Sequence, residues 1–249
     1  MEKVISYSLY GSSKLYCEGA FRNIESNEKY YPDWKTRIYV AKNCPALNEL
    51  LRWENDGRCE IIRMPEVDYV RGSTVNAAQH QNFAHTYMTW RNLALFNKSI
   101  DIILLRDLDS LTNPREAEAI ERWLESDLPI SALYDNPAHI QTWGMTGLTG
   151  WKRLIIDQIY KDESTYQEKY DKYIEWYKTD GYASGLRFVH LDLWLTLHLF
   201  ILPIGLDRIW RAGYNQINQL TVPMPEGGSC GAHLGSTVHE EYRYLDYKS

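Results

Sequence analysis

The sequence predicts an α/β fold with a mostly parallel central sheet, and the order of its first segments is the main reason. Runs rich in β-forming residues at 4–9, 37–41 and 59–64 are separated by two stretches with helical spacing. This strand–helix–strand–helix–strand order is typical of a parallel sheet with helices on its faces. The 249 residues contain no internal repeat and no low-complexity linker. We therefore expect a single domain, irregular in its C-terminal third.

Glycine, serine and proline mark the ends of these first elements. Gly11 follows the first strand, and Ser12 or Ser13 can cap the helix that comes next. Pro32 closes that helix, and Gly57 stops the second one. One face of the first helix is expected to be buried; it consists of Tyr16, Cys17, Ala20, Phe21 and Ile24.

The most distinctive stretch is an apolar run at 100–105 that ends abruptly in Arg-Asp-Leu-Asp-Ser. Asn113 can cap a following helix, and Pro114 suits its first position. Glu116, three residues after the cap, predicts a capping box. The carboxylates of Asp107 and Asp109 are therefore expected in a strand-to-helix turn. Ligands of open α/β sheets bind beyond the carboxyl ends of the strands.

The remaining segments carry weaker patterns. Residues 65–80 lack periodicity and are expected to form a loop. Further expected elements are an amphipathic helix within 82–96 with Phe83, Tyr87, Trp90 and Ala94 on one face, a strand at 129–135, a glycine-containing turn at 143–150, a charged helical region at 151–179, a strand-into-helix or buried helix at 186–200, and a Gly- and Pro-rich tail with short extended segments at 212–241.

Charge excludes one class of partner. The net charge is −6 and no Lys/Arg-rich run is present, so nucleic-acid binding through phosphate neutralisation is not expected. An acidic protein that holds an anionic substrate needs local devices, such as a metal ion or a few arginines. The 19 Tyr and 9 Trp suit stacking on sugars or bases, although most of them must serve packing.

Cysteine usage and hydropathy predict a cytoplasmic protein. The four cysteines are dispersed without a Cys-x-x-Cys spacing, which favours reduced thiols over a zinc site. The N-terminal apolar run is too short for a signal peptide, and the late apolar stretch is too short for a transmembrane segment.

Beyond the Asp-x-Asp pair, the sequence resembles the GT-A glycosyltransferases, which use a metal ion and a nucleotide-sugar donor. It is similar in particular to small Asp-x-Asp transferases of bacteria and of large algal viruses (chloroviruses). The stretches that carry this resemblance lie within residues 4–150 and are "ISYSLYG", "YYPDWKTRIYV", "TWRNLALFNKSIDIILLRDLDSLTNPREAEAIERWLES" and "YDNPAH". The last hundred residues match only in fragments.

The resemblance implies a GT-A fold, a Rossmann-like nucleotide-diphospho-sugar transferase domain over residues 1–249. Residues 1–110 would form the nucleotide-binding half, and residues 111–249 would bind the sugar and the acceptor. The implied activity is transfer of a hexose or pentose from a nucleotide-diphosphate donor, with UDP as the default, to a hydroxyl of a glycan acceptor. The implied cofactor is Mn²⁺ or Mg²⁺.

The resemblance also assigns residues to the metal and the donor. Asp109 would bind the metal directly, and Asp107 would bind the metal or reach the ribose or donor sugar. His233, in "GAHLG", would supply a third ligand, with His239 as the second choice. The implied donor-binding positions are Ser6, Tyr7, Leu9 and Tyr10 around the base and ribose, Arg91 near the diphosphate or sugar, Arg106 orienting the pair or contacting the sugar, and Asp135 and His139 in the sugar pocket.

The stereochemical outcome stays open. Retaining relatives often carry an Asp-Gln pair in a late helix, whereas here Asp192 is followed by Leu193. An inverting enzyme would need a carboxylate base for the acceptor proton, and Asp192 and Asp135 are the candidates. His233 and Asp192 together favour retention. The sequence leaves open which sugar, base and acceptor are used, and the oligomeric state.

Two other functions fit parts of the pattern. A phosphohydrolase of the haloacid-dehalogenase type also uses Asp-x-Asp after an apolar strand, with Asp107 as nucleophile and Asp109 as its partner. That pattern requires Thr or Val where Leu111 stands, and it usually follows the first strand rather than three earlier ones. A non-catalytic carbohydrate- or nucleotide-binding domain is the third possibility.

Overall fold

One eight-stranded sheet organises the part of the chain that the computed structural model describes, which is residues 1–67, 87–134, 147–159, 168–172, 175, 209–213 and 221–223. The strand order is β3-β2-β1-β4-β6-β5-β7-β8. The strands are β1 (Lys3–Leu9), β2 (Lys35–Ala41), β3 (Glu60–Met64), β4 (Ile102–Arg106), β5 (Ile130–Tyr134), β6 (Leu148–Lys152), β7 (Ile209–Gly213) and β8 (Thr221–Pro223).

The strand directions confirm the predicted α/β class with a mostly parallel sheet. Strands β1 to β4 pair in parallel, as do β5 with β7 and β7 with β8. Strand β6 runs antiparallel to both of its neighbours, β4 and β5. The division into a nucleotide-binding and an acceptor-binding half stays a prediction.

The expected turn at 143–150 is wrong over its second part, because residues from Leu148 onward form β6. Gly150 has a packing reason inside this strand. A Cβ atom there would lie 2.5 Å from the Ser131 Oγ and 2.7 Å from the Trp123 ring. A glycine inside a strand often marks such a close approach of neighbouring groups.

The helices are α1 (Lys14–Tyr30), α2 (Leu47–Asn55), α3 (Pro114–Leu124) and α4 (Arg153–Ile159), together with a 3₁₀ helix, η1 (Thr89–Phe96). None of the helices within the described ranges has the length and apolar character to cross a membrane. The loop predicted at 65–80 falls mostly outside the described residues, and so do the segment at 186–200 and most of the tail at 212–241.

Helix α1 ends just before Pro32, as predicted, but its buried face differs from the predicted one. Tyr16 is 39% exposed, whereas the buried face includes two polar residues, Asn23 and Asn27. The Asn27 side chain donates to the Thr36 hydroxyl at 2.9 Å and accepts from the Thr112 hydroxyl at 2.9 Å. Buried polar groups are stable when hydrogen-bonded in this way, so the helix packs on the sheet through a polar network as well as apolar contacts.

The segment before β4 is not an amphipathic helix over the residues that the structure describes. Within η1 every residue except Leu93 is buried, including Arg91 and Asn92. The reason is its position: η1 packs against β1 and β4. Arg91 therefore lies in the interior rather than on the surface.

Helix α3 begins as predicted, with Pro114 in its first turn and the Asn113 side chain accepting from the Glu116 amide at 3.0 Å. The other half of the expected capping box, a bond from the Asn113 amide to the Glu116 carboxylate, is replaced by two side-chain contacts. The Glu116 carboxylate accepts from the Tyr31 hydroxyl at 3.2 Å and from the Arg106 Nε at 2.6 Å. This acidic side chain thus belongs to a buried ion pair under the sheet edge.

Candidate active site

The carboxylate turn, defined as Asp107–Ser110, lies where β4 ends, between that strand and α3. Strands β1 and β4 pair Ser6 with Leu105, so both strands end at the same edge of the sheet. Within the turn, Leu108 and Ser110 are buried at 2% and 6% exposure. Asp107 and Asp109 are partly exposed. The alternation directs both carboxylates away from the core.

Helix α1 holds the backbone of this turn. The Asn23 amide donates to the Leu108 carbonyl at 3.2 Å. Gly19 lets the helix approach closely, since a Cβ atom there would lie 2.0 Å from the same carbonyl oxygen. The Ser26 hydroxyl donates to the Thr112 carbonyl at 2.7 Å, just past the turn. The turn is therefore fixed by an element that lies far from it in the sequence.

Arg91 joins the carboxylate turn from η1. Its Nη1 forms an ion pair with the Asp107 Oδ1 and donates to the Arg106 carbonyl at 2.9 Å. The arginine side chain is 3% exposed, whereas that of Asp107 is 37% exposed. The sequence placed Arg91 near the donor diphosphate, and the structure places it beside the carboxylate expected to hold the metal.

Two serines of β1 fasten η1 and therefore Arg91. The Ser6 hydroxyl donates to the Arg91 carbonyl at 2.8 Å. The Arg91 amide donates to the Ser8 Oγ at 2.8 Å, and this hydroxyl donates to the Met88 carbonyl at 2.8 Å. Ser6 and Ser8 are two apart on a strand and so share one face of the sheet. Both serve as anchors for the arginine-bearing segment.

Asp109 contacts a residue that the sequence assigned only to packing. The Tyr16 hydroxyl donates to the Asp109 Oδ2 at 3.3 Å. Burial, together with the charge of Asp107, raises the pKa of Asp109. Burial and then the charge of Asp109 raise the pKa of Tyr16 to about 12. The two carboxylates of the turn thus repel each other electrostatically.

The donor atoms of this turn fit a hard divalent cation. Two carboxylates that repel each other in one turn are stabilised by a shared cation, and oxygen ligands suit Mg²⁺ and Mn²⁺. Across the described residues, no group of three or more His, Cys, Asp or Glu side chains is placed to hold a metal. Two carboxylates match the way in which Mg²⁺ is commonly held, by one or two carboxylates together with substrate phosphates and water.

The predicted base and ribose positions divide into buried and accessible residues. Ser6, Tyr7 and Leu9 are fully buried, and the Tyr7 hydroxyl donates to the Asn23 Oδ1 at 3.2 Å. Their side chains contact protein groups. The prediction for this strand end therefore rests on Tyr10, which is partly exposed.

Tyr10 belongs to an aromatic cluster, defined as Tyr10, Tyr87 and Trp90. The ring centroids of Tyr10 lie 5.7 Å from Tyr87 and 6.3 Å from Trp90, and those of Tyr87 and Trp90 lie 5.1 Å apart. The cluster follows β1 and precedes Arg91 in η1, so it lies at the same sheet edge as the carboxylate turn.

Arg106 is the last residue of β4. Its side chain faces the core rather than the edge of the sheet, since it is only 2% exposed. Its Nε binds Glu116 at 2.6 Å, and its Nη1 donates to the Leu105 carbonyl at 2.7 Å. Contact of this side chain with a sugar does not fit this placement. Its effect on the carboxylate turn is indirect, through the fixed end of β4.

Five of the predicted site residues lie outside the described residues: Asp135, His139, Asp192, His233 and His239. Conversely, sequence reasoning missed the contacts made by Tyr16, Asn23 and Gly19. One signal was present, since Asn23 and Asn27 recur four residues apart among apolar positions of α1. Polar residues at helical spacing on a buried face indicate a network with the element beneath.

Comparison with solved structures finds matches of low similarity. One is a glycosyltransferase involved in the glycosylation of the major capsid of PBCV-1, which is 12% identical with a TM-score of 0.41, covering 86% of this chain and 82% of that one. A mannosyltransferase from Pyrobaculum calidifontis, PcManGT, in complex with GDP-Man and Mn²⁺, is 15% identical with a TM-score of 0.40, covering 63% and 46%. S. aureus TarS 1–349 in complex with UDP is 10% identical with a TM-score of 0.42, covering 72% and 55%.

The chain spans about half the length of the mannosyltransferase and of TarS 1–349. At these identities and TM-scores the likeness carries no argument about activity. No protein-family model matches the sequence, and no curated protein matches it.

Proposed function

We propose that this protein is a metal-dependent glycosyltransferase that moves a sugar from a nucleotide-diphosphate donor to an acceptor hydroxyl. The observation that supports the proposal most is the carboxylate turn, where Asp107 and Asp109 reach the surface at the carboxyl edge of β4 next to the buried Arg91. Ligands of open α/β sheets bind at this edge. The sequence resemblance assigns the same two aspartates to the metal.

In this proposal Asp107 and Asp109 bind Mn²⁺ or Mg²⁺. When bound, such an ion neutralises charge that develops on a departing diphosphate. Arg91 orients Asp107 through their ion pair, and Tyr16 orients Asp109 through its hydroxyl. Removing a group that orients a metal ligand typically lowers metal affinity or activity about 10- to 100-fold.

The aromatic cluster is the part of the described structure that best suits binding of the nucleotide. Tyr10 follows directly after β1, and its ring lies within 6.3 Å of both Tyr87 and Trp90. Aromatic faces with a polar tip stack on bases and on sugar rings. We assign the base or the ribose of the donor to this cluster, with UDP as the first nucleotide to test.

Four predicted residues that lie outside the described ranges keep their predicted roles in the proposal. His233 is the proposed third metal ligand, and Asp135 and His139 are proposed to line the sugar pocket. Asp192 is proposed to act at the reacting face, with retention of configuration. The acceptor is proposed to be a glycan hydroxyl.

The experiment combines binding and turnover. Thermal shift is measured against UDP-, GDP- and dTDP-sugars with Mn²⁺, Mg²⁺ or EDTA, and nucleotide release is then followed for the nucleotide that stabilises the protein. We expect stabilisation by one nucleotide only when metal is present, and slow hydrolysis of its sugar donor. Absence of any metal-dependent nucleotide binding would overturn the proposal, and phosphate release from simple monoesters would favour a phosphohydrolase.

A matched pair of variants locates the metal. Asp109→Asn removes a charge at the carboxyl end of β4, whereas Asp101→Asn removes one just before the amino end of the same strand. Asp101 is 51% exposed and contacts the chain's N-terminus. We expect Asp109→Asn to abolish metal-dependent nucleotide release and Asp101→Asn to leave it unchanged. Equal activity of the two variants would contradict the metal assignment.

A further inference from the structure

A glycine, Gly147, lies against one oxygen of the Asp107 carboxylate, and Arg91 holds the other oxygen. Strand β6 pairs Leu148 with Arg106, so the residues just beyond this pair, Gly147 and Asp107, face each other at the edge of the sheet. A Cβ atom on Gly147 would lie 1.9 Å from the Asp107 Oδ2 and 2.6 Å from its Cγ. The other oxygen of the same carboxylate, Oδ1, forms the ion pair with Arg91.

We propose that Gly147 is a positioning residue of the metal site: its missing side chain leaves the space that the Asp107 carboxylate occupies beside Asp109. The inference rests on the proposed function, since it concerns the same two carboxylates. Any other amino acid would place a Cβ atom where an oxygen of Asp107 now lies. The Asp107 carboxylate would then rotate, which would break its ion pair with Arg91 and move it relative to the Asp109 carboxylate.

The kind of clash distinguishes this glycine from two others in the chain. At Gly147 the nearest atoms belong to the end of a side chain that is 37% exposed, so that side chain can move. At Gly19 the nearest atom is a backbone carbonyl, at 2.0 Å. At Gly150 the neighbours are Ser131, Trp123 and Leu104 in the core, at 2.5 to 2.8 Å.

These differences predict separate consequences. Gly147→Ala is accommodated by rotation of one partly exposed side chain, so it disturbs the site more than the fold. Gly150→Ala crowds the core, and overpacking destabilises the fold. Gly150 lies within β6, three residues after Gly147, which directly precedes that strand. The three atoms nearest to a Cβ atom on Gly150 would belong to Ser131, Trp123 and Leu104 rather than to the carboxylate turn. It is therefore the matched control for a general loss of stability.

The test measures Mn²⁺ binding directly, by the loss of the free-ion electron paramagnetic resonance signal, with UDP and with GDP. Melting temperatures are measured in EDTA. For Gly147→Ala we expect Mn²⁺ affinity to fall at least about tenfold, as for other groups that orient a metal ligand. Its melting temperature should stay within about 3 °C of the wild type, which is the shift expected from about 1 kcal/mol in a domain of this size.

For Gly150→Ala we expect the reverse: a melting temperature lower by about 4 to 8 °C, with the Mn²⁺ affinity of the folded protein unchanged. The inference alone is overturned if wild type and Gly147→Ala bind Mn²⁺ equally. It is also overturned if Gly147→Ala loses as much thermal stability as Gly150→Ala. Absence of Mn²⁺ binding by the wild type overturns the proposed function, and the inference with it.

A second measurement needs no metal. In a protein that carries Asp107→Ala, the carboxylate atoms that the new Cβ would meet are gone. Adding Gly147→Ala to that variant should therefore leave its melting temperature in EDTA unchanged, whereas the same substitution in the wild type should lower it slightly. An equal decrease in both backgrounds would mean that Gly147 contacts something other than Asp107, and would overturn the inference.

Discussion

Two arginine–carboxylate pairs each have one member at the end of β4, Arg106 in one and Asp107 in the other, and the pairs differ in the exposure of the carboxylate. Arg106 and Glu116 are both buried, with side chains 2% and 3% exposed. Arg91 is equally buried at 3%, but its partner Asp107 is 37% exposed. The first pair lies beneath the sheet edge and the second lies at it.

The comparison shows that burial of an arginine does not by itself indicate its role. Arg106 is held by a carboxylate that the fold encloses, and the Tyr31 hydroxyl donates to that same carboxylate. Burial raises the pKa of Tyr31, which keeps this donor protonated. Arg91 is held by a carboxylate that reaches solvent. The exposure of the partner therefore separates a structural ion pair from one at a candidate site.

The largest effect is expected from breaking the enclosed pair. Glu116→Gln leaves the buried guanidinium of Arg106 without its counter-charge, which we expect to cost about 3–5 kcal/mol in the free energy of unfolding. Denaturant unfolding measures this. Glu118→Gln on the same helix is the control, because its pair with Arg122 is about half exposed and should cost less than about 1 kcal/mol. Equal losses for the two variants would contradict the comparison.

Removing Arg91, the arginine at the sheet edge, should lower the unfolding free energy less than Glu116→Gln does, but it should weaken nucleotide binding more. Arg91→Met leaves Asp107 with access to water, so we expect a loss of about 1–2 kcal/mol in unfolding free energy. Metal-dependent nucleotide affinity should fall at least about tenfold, because Asp107 loses the group that orients it. Titration calorimetry measures the second quantity. A stability loss as large as that of Glu116→Gln, with unchanged nucleotide affinity, would make Arg91 a structural residue like Arg106.

A smaller effect is expected from the anchor of η1. Ser8→Ala removes the acceptor of the Arg91 amide, which should cost about 1 kcal/mol. It should also raise the KM for the donor, since Arg91 is no longer fixed along β1. Ser99→Ala is the control, because this hydroxyl donates to the Asn97 Oδ1 in an exposed loop. If Ser8→Ala lowers stability but leaves the KM unchanged, Ser8 stabilises the fold without positioning Arg91 for donor binding.

The smallest effect is expected at Tyr16. Its hydroxyl contacts Asp109 at 3.3 Å from a side chain that is 39% exposed. Tyr16→Phe should change unfolding free energy by less than about 0.5 kcal/mol. It should lower Mn²⁺ affinity by less than about tenfold, the lower end of the effect of removing a group that orients a metal ligand, because its hydrogen bond to Asp109 is long and partly exposed. A tenfold loss would indicate that Tyr16 contributes as much to the metal site as Arg91 does.

The sequence predicts those parts of the fold that depend on local pattern. Strands β1 to β5 and helices α1 to α3 follow from short apolar runs, helical spacing and signals such as Asn113-Pro114. Strand β6 was missed because Gly147 and Gly150 resemble turn residues until their neighbours across the sheet are known. The 3₁₀ helix η1 was taken for an amphipathic helix because its enclosure depends on packing against β1 and β4.

The candidate site divides in the same way. Asp107 and Asp109 could be predicted because a strand, a turn and a capped helix are adjacent in sequence. The partner of Arg91, the inward direction of Arg106 and the contacts of Tyr16 depend on residues that lie 10 to 93 positions apart in the sequence. No local pattern contains that information, and a single sequence therefore cannot provide it.

The central claim is that the carboxylate turn holds a divalent cation with a nucleotide diphosphate. Isothermal titration of UDP and GDP into the wild type, Asp109→Asn and Asp101→Asn, each with Mn²⁺ and with EDTA, tests it most directly. We expect one nucleotide to bind the wild type and Asp101→Asn, in both cases only with Mn²⁺. We expect Asp109→Asn to lose this binding while its melting temperature stays near that of the wild type. Nucleotide binding that is unaffected by both EDTA and Asp109→Asn would contradict it.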